Sequence, residues 1–453
     1  MKPIAVLGGG ITGLAAAHYL HKMNLESVVL ESSSRPGGVI DTSIEDGFLA
    51  EAGPNSLMAA TPRVRELVRD AGLENSEFIE AHDAAKKRYI VRNHKLLALP
   101  ASPGALLTSP VLSLAAKMRV LAEPFMPRGN PDETIADFVR RRIGEEPLAY
   151  LVDPFISGIY AGDPERLSMR HAFPGVHGME RDYGSIFMGM IRKVKEPKTR
   201  SRGIVSFRSG MKALPEHLAA RLGPDFHPSC RVAAVESGAG GWKVHGQSGG
   251  GPFVLEASGV ICCLPSHALG SCEFRLPGRS NDVAMLAEIP YAPVRTVTLG
   301  FRRNDIEHPL DGFGYLIPSS EKLNHLGTLF TSSLFPGRAP DGCVTLASFI
   351  GGSRRPDMGR DRLDAVLPIL MAELKELLGV KSEPVYLKSF QFDRAIPQME
   401  TGHGSFISAC AAIEEANPRL LFAGTWRDGI SLPNAIESGW TAARRMSEAI
   451  HGR

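Results

Sequence analysis

Three glycines and one glutamate near the beginning of the sequence have the spacing of a nucleotide-binding site. Gly8, Gly10 and Gly13 follow the apolar run PIAVL in the pattern G-x-G-x-x-G. In this pattern the first glycine permits a tight turn, the second lets the backbone approach a pyrophosphate, and the third lets a helix pack closely on a strand. Glu31 follows 18 residues after Gly13, where a carboxylate can accept hydrogen bonds from both hydroxyls of a ribose. These residues predict a dinucleotide site; the alternative is a glycine-rich turn without a ligand.

This chemistry requires a strand, a helix and a second strand in that order. PIAVLG is a short apolar run, as expected for a parallel strand that is buried on both faces. The segment from Gly13 to about Met23 has the composition of a helix, whose free N–H groups and positive dipole end would point at the phosphates. SVVL, which precedes Glu31, is the second predicted strand. The order of the three elements predicts the beginning of a Rossmann-like α/β unit.

The residues after Glu31 distinguish between dinucleotides. Residues 31–38, ESSSRPGG, have the pattern E-x-x-x-R-x-G-G, which resembles the extended FAD fingerprint of the glutathione-reductase-like flavoproteins. An acid at position 31 also argues against the 2′-phosphate of NADP. The sequence therefore predicts FAD as the cofactor.

The rest of the chain divides into regions of different character. Residues 86–100, KKRYIVRNHKLLALP, predict a β-hairpin with a turn at Asn93 and His94. Residues 101–203 have a helical pattern and end in KVKEPKTRSRG, which is predicted to be an exposed loop. Residues 290–405 contain several strand-like runs and one helix at 360–379. The strand LLFAG and the helix that starts near Pro433 can return to the first strands, so the FAD domain is predicted to be discontinuous.

The predicted fold class is α/β with three parts. A Rossmann-like, glutathione-reductase-like FAD-binding domain comprises residues 1–85, 204–270 and 405–453. A sheet-based substrate domain comprises residues 86–100 and 271–404, and a helical domain comprises residues 101–203. Two interpretations of the apolar stretch 103–126 are open: a helix that packs on its neighbours, and a face that contacts a membrane.

Composition and charge exclude several classes of protein. The chain of 453 residues has a formal net charge of +2 with scattered basic residues, so we expect no nucleic-acid partner. Its six cysteines form no CxxC pair and no metal-like spacing, which predicts no metal site and a reduced, cytoplasmic setting. No window reaches the about 18 uninterrupted apolar residues of a spanning helix. Glycines interrupt the first apolar run, which argues against a signal peptide.

Segments along nearly the whole chain resemble the oxygen-dependent protoporphyrinogen oxidases, FAD enzymes of the amine-oxidase superfamily. VLGGGITGLAAAHYL and ESSSRPGG indicate only the superfamily, whereas SGIYAGDPERLSMRHAFP (157–174) and GFGYLIPSSE (312–321) are specific. The resemblance implies a late step of haem biosynthesis, in which a porphyrinogen transfers hydride to the flavin and O2 reoxidises the flavin. It leaves open whether the substrate is protoporphyrinogen IX or coproporphyrinogen III.

The resemblance also implies the residues of the site. FAD contacts are expected from Gly8, Gly9, Gly10, Ile11, Thr12, Gly13, Glu31, Ser32, Arg35, Gly38, Val39, Gly53, Pro54, Asn55, Ser56, Val232, Thr425, Ile430, Ser431 and Leu432. Substrate contacts are expected from Arg88, Phe313, Gly314, Leu316, Phe349 and Ile396. No catalytic residue and no metal ligand is predicted, and His171 and His403 are interpreted as structural. The alternatives are an exposed arginine on a hairpin for Arg88 and ordinary core packing for the phenylalanines.

Two positions depart from the family pattern, and other functions remain as alternatives. Met399 stands where a tyrosine is usual, which leaves the shape of the site there open, and Asn434-Ala435 stands where Asp-Cys is common. The alternative functions are another flavoenzyme of the superfamily, such as an amine oxidase or a carotenoid desaturase, and a flavin-binding porphyrin carrier without turnover. Besides a porphyrinogen and O2, the expected partners are the inner face of the cell membrane, a second copy of the chain, and ferrochelatase, the next enzyme of haem biosynthesis.

Overall fold

A computed structural model of the chain describes residues 2–58, 61–100, 103–193, 203–238, 240–277 and 280–452. The segment predicted to be an exposed loop, residues 193–203, lies outside the described residues except for its two ends. The described residues form α-helices, β-strands, short 3₁₀ helices and one π-helix. They confirm the mixed α/β class.

The strands of the described residues fall into five sheets. In chain order they are β1 (Ile4–Leu7), β2 (Ser27–Leu30), β3 (Thr42–Glu45), β4 (Phe48–Glu51), β5 (Leu57–Met58), β6 (Phe78–Glu80), β7 (Tyr89–Arg92), β8 (Lys95–Ala98), β9 (Ile204–Phe207), β10 (Phe226–His227), β11 (Arg231–Gly238), β12 (Gly241–Ser248), β13 (Gly251–Ala257), β14 (Gly259–Cys262), β15 (Glu273–Arg275), β16 (Tyr291–Arg302), β17 (Gly314–Leu316), β18 (His325–Leu329), β19 (Cys343–Gly351), β20 (Tyr386–Pro397) and β21 (Leu420–Phe422).

The helices cover the sheets and form most of the region between residues 103 and 193. In chain order they are α1 (Ile11–Lys22), α2 (Pro62–Asp70), α3 (Pro103–Thr108), α4 (Leu114–Leu121), α5 (Ile135–Arg142), α6 (Glu145–Pro147), α7 (Asp153–Tyr160), α8 (Met169–Ala172), α9 (Pro174–Tyr183), α10 (Ile186–Lys193), α11 (Ala213–Leu222), α12 (Ser266–Leu269), α13 (Ser280–Leu286), α14 (Thr331–Leu334), α15 (Pro356–Arg360), α16 (Leu363–Leu378), α17 (His403–Ala416), α18 (Thr425–Asp428) and α19 (Leu432–His451).

A five-stranded parallel sheet contains the first strand of the chain. Its strand order is β10–β2–β1–β14–β21, and every pairing is parallel. The runs IAVL of β1 and GVIC of β14 are buried along their whole length, because helices cover both faces of such a sheet. Strand β21 completes the sheet from a distant part of the sequence. The prediction of a discontinuous Rossmann-like unit is therefore confirmed for this sheet.

Two glycines bring the first and last long helices into backbone contact with their neighbours. A Cβ atom at Gly13 would lie 2.0 Å from the carbonyl oxygen of Gly8, so only glycine allows α1 to begin so close to the turn after β1. A Cβ atom at Gly439 would lie 2.4 Å from the carbonyl oxygen of Thr12. Helices α1 and α19 therefore cross at van der Waals distance, and α19 packs against the beginning of α1.

A seven-stranded sheet, in the order β20–β16–β19–β18–β17–β7–β8, forms the second large unit. The β7–β8 hairpin turns at Asn93 and His94, both with positive φ, as a type I′ turn requires. Strand β7 joins the sheet by parallel pairing with β17. Leu370 and Leu374 of α16 pack in one core with Leu346 of β19. Residues 86–100 and the strands after residue 290 therefore share one sheet, and the predicted hairpin and the helix at 360–379 are confirmed.

Two long elements, β20 and α17, are absent from the sequence predictions. Strand β20 lies at an edge of the seven-stranded sheet, and most of its residues are partly or fully exposed, so its sequence lacks the apolar run of a buried strand. Strand β15, at Glu273–Arg275, pairs with β11 in the four-stranded sheet β13–β12–β11–β15, beyond the domain boundary predicted at residue 270. The predicted domain boundaries stay predictions.

Helices α5 and α7–α10 contribute to one core within residues 103–193, in which Ile135 and Phe138 of α5 lie with Ile156 and Tyr160 of α7. Ala116 of α4 belongs instead to the core that contains Ile90 of β7. Residues 148–152, just before α7, form a π-helix, a rare geometry that occurs frequently at functional sites. None of the helices in the described ranges combines the length and the apolar character that crossing a bilayer requires.

Candidate active site

The turn after β1 carries the glycine pattern at the carboxyl edge of the parallel sheet. Gly8 has a φ of 101°, which glycine adopts without strain, and its N–H donates to the carbonyl of Leu30 at 2.8 Å. Helix α1 begins at Ile11 with Gly10 as an N-cap residue that provides no side-chain cap. The first N–H groups of α1 therefore remain for a ligand at this edge, where ligands bind in open parallel sheets.

Glu31 lies beside this turn and is buried. Its carboxylate accepts hydrogen bonds from the backbone N–H of Gly9 at 2.6 Å and of Ser33 at 2.7 Å, and from the hydroxyl of Ser32 at 3.3 Å. Glu31 therefore fixes the shape of the glycine turn. The hydroxyl of Ser33 also donates to this carboxylate. Three of the four donors use Oε1, and only the N–H of Gly9 uses Oε2, so the second lone pair of Oε2 can still accept a hydrogen bond from a ribose hydroxyl.

Residues 37 and 38 approach the glycine turn from the other side. The N–H of Gly37 donates to the carbonyl of Gly9 at 2.8 Å. A Cβ atom at Gly38 would lie 3.6 Å from the Cα atom of Gly10. Two stretches of bare backbone therefore lie in contact, at the edge of a cleft in front of Gly10 where a Cβ atom would meet no protein atom within 4 Å.

Arg35 stabilises the loop that follows it. Its guanidinium donates to the carbonyls of Gly38 at 2.9 Å and of Ile40 at 3.0 Å, and it forms an ion pair with Asp41 at 3.2 Å. The positive charge is thus partly neutralised inside its own loop. The arrangement gives Arg35 a structural part in shaping the cleft.

Residues 53–56 pass the same cleft. A Cβ atom at Gly53 would lie 2.5 Å from the carbonyl oxygen of Val39, so the two backbones are in contact. The side chain of Val39 is exposed, and Pro54 and Ser56 are partly exposed. Asn55 is buried, and its amide lies 3.4 Å from the carbonyl of Gly53. The structure therefore brings this predicted segment together with residues 35–39.

Val232 lies close to the end of β2. The N–H of Glu31 donates to the carbonyl of His227 at 2.9 Å, and the N–H of Cys230 donates to the carbonyl of Glu31 at 2.7 Å. The chain then enters β11, where Val232 is partly buried against the core that contains Leu30. The structure therefore places Val232 and Glu31 at one edge of the sheet.

Strand β21 leads into the last predicted cofactor segment. The N–H of Gly424 donates to the hydroxyl of Ser438 at 2.9 Å, and Thr425 begins α18. Ser431 is the N-cap of α19, and its hydroxyl accepts a hydrogen bond from the N–H of Asn434 at 3.2 Å. The positive end of the α19 dipole, beginning at Leu432, therefore lies next to the segment that the sequence predicts for the flavin.

Asp428 is a residue of this segment that the sequence analysis did not nominate. Its side chain is 41% exposed, yet burial raises its pKa, and the hydroxyl of Ser438 donates to it. The side chain thus combines access to solvent with partial desolvation by the protein around it. Its position between Thr425 and Ile430, which were both predicted, is the signal that could have identified it.

The cleft beside Gly10 fits the diphosphate of a dinucleotide. A Cβ atom at Gly10 would find no protein atom within 4 Å, so the space in front of this glycine is open. The uncapped beginning of α1 provides N–H donors to this space, and the carboxylate of Glu31 lies at its side. Open space, bare backbone and a helix N-terminus are what a pyrophosphate requires.

The predicted substrate residues fall into separate groups, of which Phe349 and Ile396 form the first. Both are partly exposed and pack around Ala161, which follows α7, and around Leu326 of β18. They belong to β19 and β20, which are both neighbours of β16 in the seven-stranded sheet. The structure therefore brings these two apolar residues together on a surface that also contacts the helical region.

Helix α7 provides a second group around Leu316. A Cβ atom at Gly158 would lie 2.6 Å from Cδ2 of Leu316, so the helix and the sheet are in close contact there. Phe155 and Ile159, one turn apart on α7, are exposed apolar residues. None of the predicted substrate contacts lies in the motif SGIYAGDPERLSMRHAFP, which contains Gly158 and Ile159. The exposed apolar side chains beside Leu316 make α7 a further candidate wall of the site.

Arg88 and Phe313 form a third group. The guanidinium carbon of Arg88 lies 5.2 Å from the centre of the Phe313 ring, which is a cation–π distance. No carboxylate of the described residues forms an ion pair with Arg88. Phe313 packs with Leu334 and Phe335 rather than with Phe349, so the structure does not bring all predicted substrate residues into one cluster.

Gly314 has a conformational reason for being glycine. Its φ is 136°, and a Cβ atom there would lie 2.1 Å from the carbonyl oxygen of Thr328 on β18. Any larger residue would separate β17 from β18. Gly314 therefore sets the position of Leu316 within the same strand.

His171 and His403 contact each other near the beginning of α17. Their ring centres are 5.4 Å apart, and the two ring nitrogens of His403 have no hydrogen-bond partner among the described residues. Burial, with the nearby His171, lowers the pKa of His403 to about 4, and burial also lowers the pKa of His171. Both rings are therefore neutral at pH 7, which agrees with their interpretation as structural residues.

Met399, which departs from the family pattern, is buried. Its carbonyl accepts a hydrogen bond from the N–H of Ser168 at 2.8 Å, so its backbone joins the end of β20 to the helical region. The other departure, Asn434, donates its N–H to Ser431 in the first turn of α19. Met399 and Asn434 thus each make a backbone hydrogen bond at the border of the site.

The comparisons with known proteins agree with this geometry. The family described as "Flavin containing amine oxidoreductase" matches residues 11–447. Protoporphyrinogen oxidase 2, chloroplastic/mitochondrial, from Arabidopsis thaliana is 33% identical over 98% of this chain and 93% of its own length. Mitochondrial protoporphyrinogen oxidase from Nicotiana tabacum is 31% identical over 98% of this chain and 94% of its own. Coproporphyrinogen III oxidase from Bacillus subtilis (strain 168) is 26% identical over 99% and 98% of the two chains.

A solved structure shows the same fold. A provisionally assigned protoporphyrinogen oxidase from Exiguobacterium sp. 255-15 superimposes with a TM-score of 0.82 at 22% identity, over 98% of each chain. Similarity at this level of identity concerns the fold alone. The family match over residues 11–447 and the protoporphyrinogen oxidase relatives confirm the predicted FAD cofactor. The chain belongs to the flavin-containing amine oxidoreductases and, within them, to the protoporphyrinogen oxidase family.

Proposed function

We propose that the chain oxidises a porphyrinogen to the porphyrin, as a late step of haem biosynthesis, with FAD as the cofactor and O2 as the electron acceptor. The observation that carries the proposal is the apolar wall of Leu316, Phe349 and Ile396, which meets α7 next to the predicted flavin segment. Ile430 of that segment packs against the same core as Tyr160 of α7. A porphyrinogen is broad and apolar with carboxylates at its edge, and such a ligand requires mostly apolar walls with a few polar groups.

The predicted site residues are part of this proposal. The glycine turn, Glu31 and residues 35–39 and 53–56 would hold the adenosine and diphosphate, with Val232 near the adenosine. Residues 425–432 would contact the flavin. The five-stranded sheet would be the cofactor unit, the seven-stranded sheet the substrate unit, and helices α3–α10 a third unit that closes the substrate cavity.

The residues of the chain would orient the substrate rather than react with it. FAD, when bound, supplies the two-electron acceptor that takes hydride from the substrate and is reoxidised by O2. Apolar side chains at Leu316, Phe349 and Ile396 would exclude water from the tetrapyrrole. Arg88, held over Phe313, would bind a carboxylate of the substrate, for which a guanidinium offers two parallel donors. The neutral His171 and His403 provide no acid for the reaction at pH 7.

The experiment that tests the function compares both candidate substrates. The purified holoenzyme is incubated in air with protoporphyrinogen IX or coproporphyrinogen III, and porphyrin fluorescence is followed against a control without enzyme. We expect acceleration with at least one of the two and release of hydrogen peroxide. A yellow protein that accelerates neither oxidation would refute the proposal and favour a flavin-binding carrier. Turnover of amines alone would favour an amine oxidase.

The exposed apolar residues of α4 support the proposal of peripheral membrane contact. Leu114, Met118 and Leu121 lie on one face of the helix, and Phe125 continues the same row; all four are exposed. An apolar row of this kind can enter the boundary between head groups and acyl chains. The test is co-sedimentation with vesicles of phosphatidylglycerol and phosphatidylethanolamine.

Matched variants make that test specific to the row. Met118→Ser with Leu121→Ser is expected to lower the bound fraction, whereas Val254→Ser with Val385→Ser, at exposed positions outside the row, is expected to leave it unchanged. Equal binding of both double variants would contradict membrane contact through α4.

The remaining partners and the location are part of the proposal as well. The six cysteines are all free, which supports a reduced, cytoplasmic compartment. A homodimer is tested by sedimentation equilibrium of the holoenzyme. Contact with ferrochelatase is tested by mixing the two purified enzymes and measuring whether they elute together, with albumin in place of ferrochelatase as the control.

A further inference from the structure

One arginine joins the two ends of α7 to the seven-stranded sheet. Arg354 lies in the loop after β19, and its guanidinium donates to Oδ1 of Asp153, the first residue of α7. The same nitrogen atom lies 3.1 Å from Oδ1 of Asp163, which follows the end of the helix. We refer to Arg354, Asp153 and Asp163 as the α7 clamp.

Backbone hydrogen bonds seat the same loops on the helix. The N–H of Ser319, after β17, donates to Oδ2 of Asp153 at 2.7 Å. The N–H of Ser353 donates to the carbonyl of Ala161 at 2.7 Å. A Cβ atom at Gly352 would lie 2.7 Å from that carbonyl oxygen, so glycine permits the contact. The loops after β17 and β19 thus hold opposite ends of α7.

The helix that is held in this way carries the apolar residues of the proposed substrate wall. Phe155 and Ile159 are exposed on α7, and between them Gly158 abuts Leu316 of β17. The gap between α7 and the sheet therefore depends on the loops that fix the helix. A movement of α7 would therefore change the spacing between its apolar residues and Leu316.

The position of α7 depends on the positive charge of Arg354. Two carboxylates share one guanidinium, so without it two negative charges would face each other at short distance. Asp153 has only 4% of its side chain exposed and Arg354 has 26% exposed, so water replaces the lost partner poorly. Removing one member of such a pair leaves an uncompensated charge. Without Arg354, α7 would move away from the loop after β19 so that water reaches the carboxylate of Asp153.

We propose that Arg354 is a positioning residue for the porphyrinogen: through Asp153 and Asp163 it sets the distance between α7 and the substrate sheet. This inference rests on the proposed function. Arg354 acts through the helix, and its removal is expected to weaken substrate binding more than it slows the reaction of bound substrate.

The test compares neighbouring arginines in the holoenzyme. Arg354→Gln removes the shared charge, Arg354→Lys keeps it, and Arg355→Gln is the matched control, because Arg355 is exposed and contacts Asn324 at the surface. For Arg354→Gln we expect a KM for the porphyrinogen about tenfold higher, which corresponds to about 1.4 kcal/mol, with kcat within about twofold of the wild type and unchanged flavin absorbance. Arg354→Lys is expected to restore most of the affinity, and Arg355→Gln to behave like the wild type.

The outcomes separate this inference from the function on which it rests. A wild-type enzyme without turnover refutes the proposed function. An active wild type with an unchanged KM in Arg354→Gln refutes the clamp, as does an equal change in Arg355→Gln. Where Arg354→Gln fails to fold, Asp163→Asn removes one of the two carboxylates and keeps the pair with Asp153; the clamp predicts a raised KM for that variant, and an unchanged KM likewise refutes the clamp.

Discussion

The substitution Gly10→Ala is expected to weaken FAD binding without damaging the fold. Gly10 has φ −69° and ψ 173°, which alanine adopts freely, and a Cβ atom there would touch no protein atom within 4 Å. Alanine is a poorer N-cap than glycine, which costs at most about 1 kcal/mol. The added methyl group would instead stand in the space proposed for the diphosphate, where overpacking costs about 1–3 kcal/mol of binding free energy, or about 5- to 150-fold in Kd.

Gly13→Ala is the contrasting variant. Its Cβ atom would lie 2.0 Å from the carbonyl oxygen of Gly8, compared with 3.4 Å or more in an ordinary contact. That oxygen belongs to the backbone, so α1 itself has to move. We expect Gly13→Ala to lower the free energy of unfolding by about 1–3 kcal/mol even without cofactor, and to lose FAD as a consequence.

Thermal unfolding of the apoprotein, with and without FAD, distinguishes the two variants. At a free FAD concentration of 100 times the wild-type Kd, the cofactor stabilises the wild type by about 2.7 kcal/mol. If Gly10→Ala weakens binding about 100-fold, the same concentration stabilises it by only about 0.4 kcal/mol. The reasoning is refuted if Gly10→Ala binds FAD as the wild type does, or if its apoprotein is destabilised as much as that of Gly13→Ala.

Three further predictions concern single residues. In Glu31→Gln an amide NH2 would face the backbone N–H groups that now donate to the carboxylate. The Kd for FAD in a flavin-fluorescence titration is therefore expected to rise about tenfold or more. An unchanged Kd would contradict this role of Glu31. Burial raises the pKa of Glu51 to about 7 from 4.5, so the folded state binds a proton that the unfolded chain releases, and stability falls as the pH rises from 5 to 8 by up to about 3 kcal/mol. Glu51→Gln is expected to flatten that pH dependence in urea unfolding, and an equally steep decline would disprove it. The added methyl group of Gly158→Ala would displace Leu316 into the proposed cavity and weaken porphyrinogen binding by about 1–3 kcal/mol. KM for the porphyrinogen is therefore expected to rise, and the double variant with Leu316→Val is expected to reverse part of that rise.

The parallel sheet and its glycine turn could be predicted because local rules determine them. A strand that is buried on both faces requires a continuous apolar run, and β1, β2 and β14 have one. The turn at Asn93 and His94 followed from residues that tolerate positive φ. Each of these features depends on a few consecutive residues, so the sequence alone was sufficient.

The walls of the substrate cavity depend on contacts between distant segments, which a single sequence does not reveal. Gly158 is small because Leu316 lies against it, and Arg354 pairs with Asp153 and Asp163 across about 200 residues. Strand β20 was missed because an exposed edge strand lacks the apolar pattern of a buried one. The separation of Phe313 from Phe349 likewise appears only when the strand order of the sheet is known.

The order of strands in the five-stranded sheet has a consequence for synthesis of the chain. Strand β14 ends at Cys262, but its outer neighbour β21 begins only at Leu420. While the ribosome makes the residues between them, β14 presents an unpaired edge on a nascent chain, and such edges invite aggregation. Residues 425–432, which we propose to contact the flavin, follow β21 in the chain, so we expect FAD to bind only after translation has passed α19.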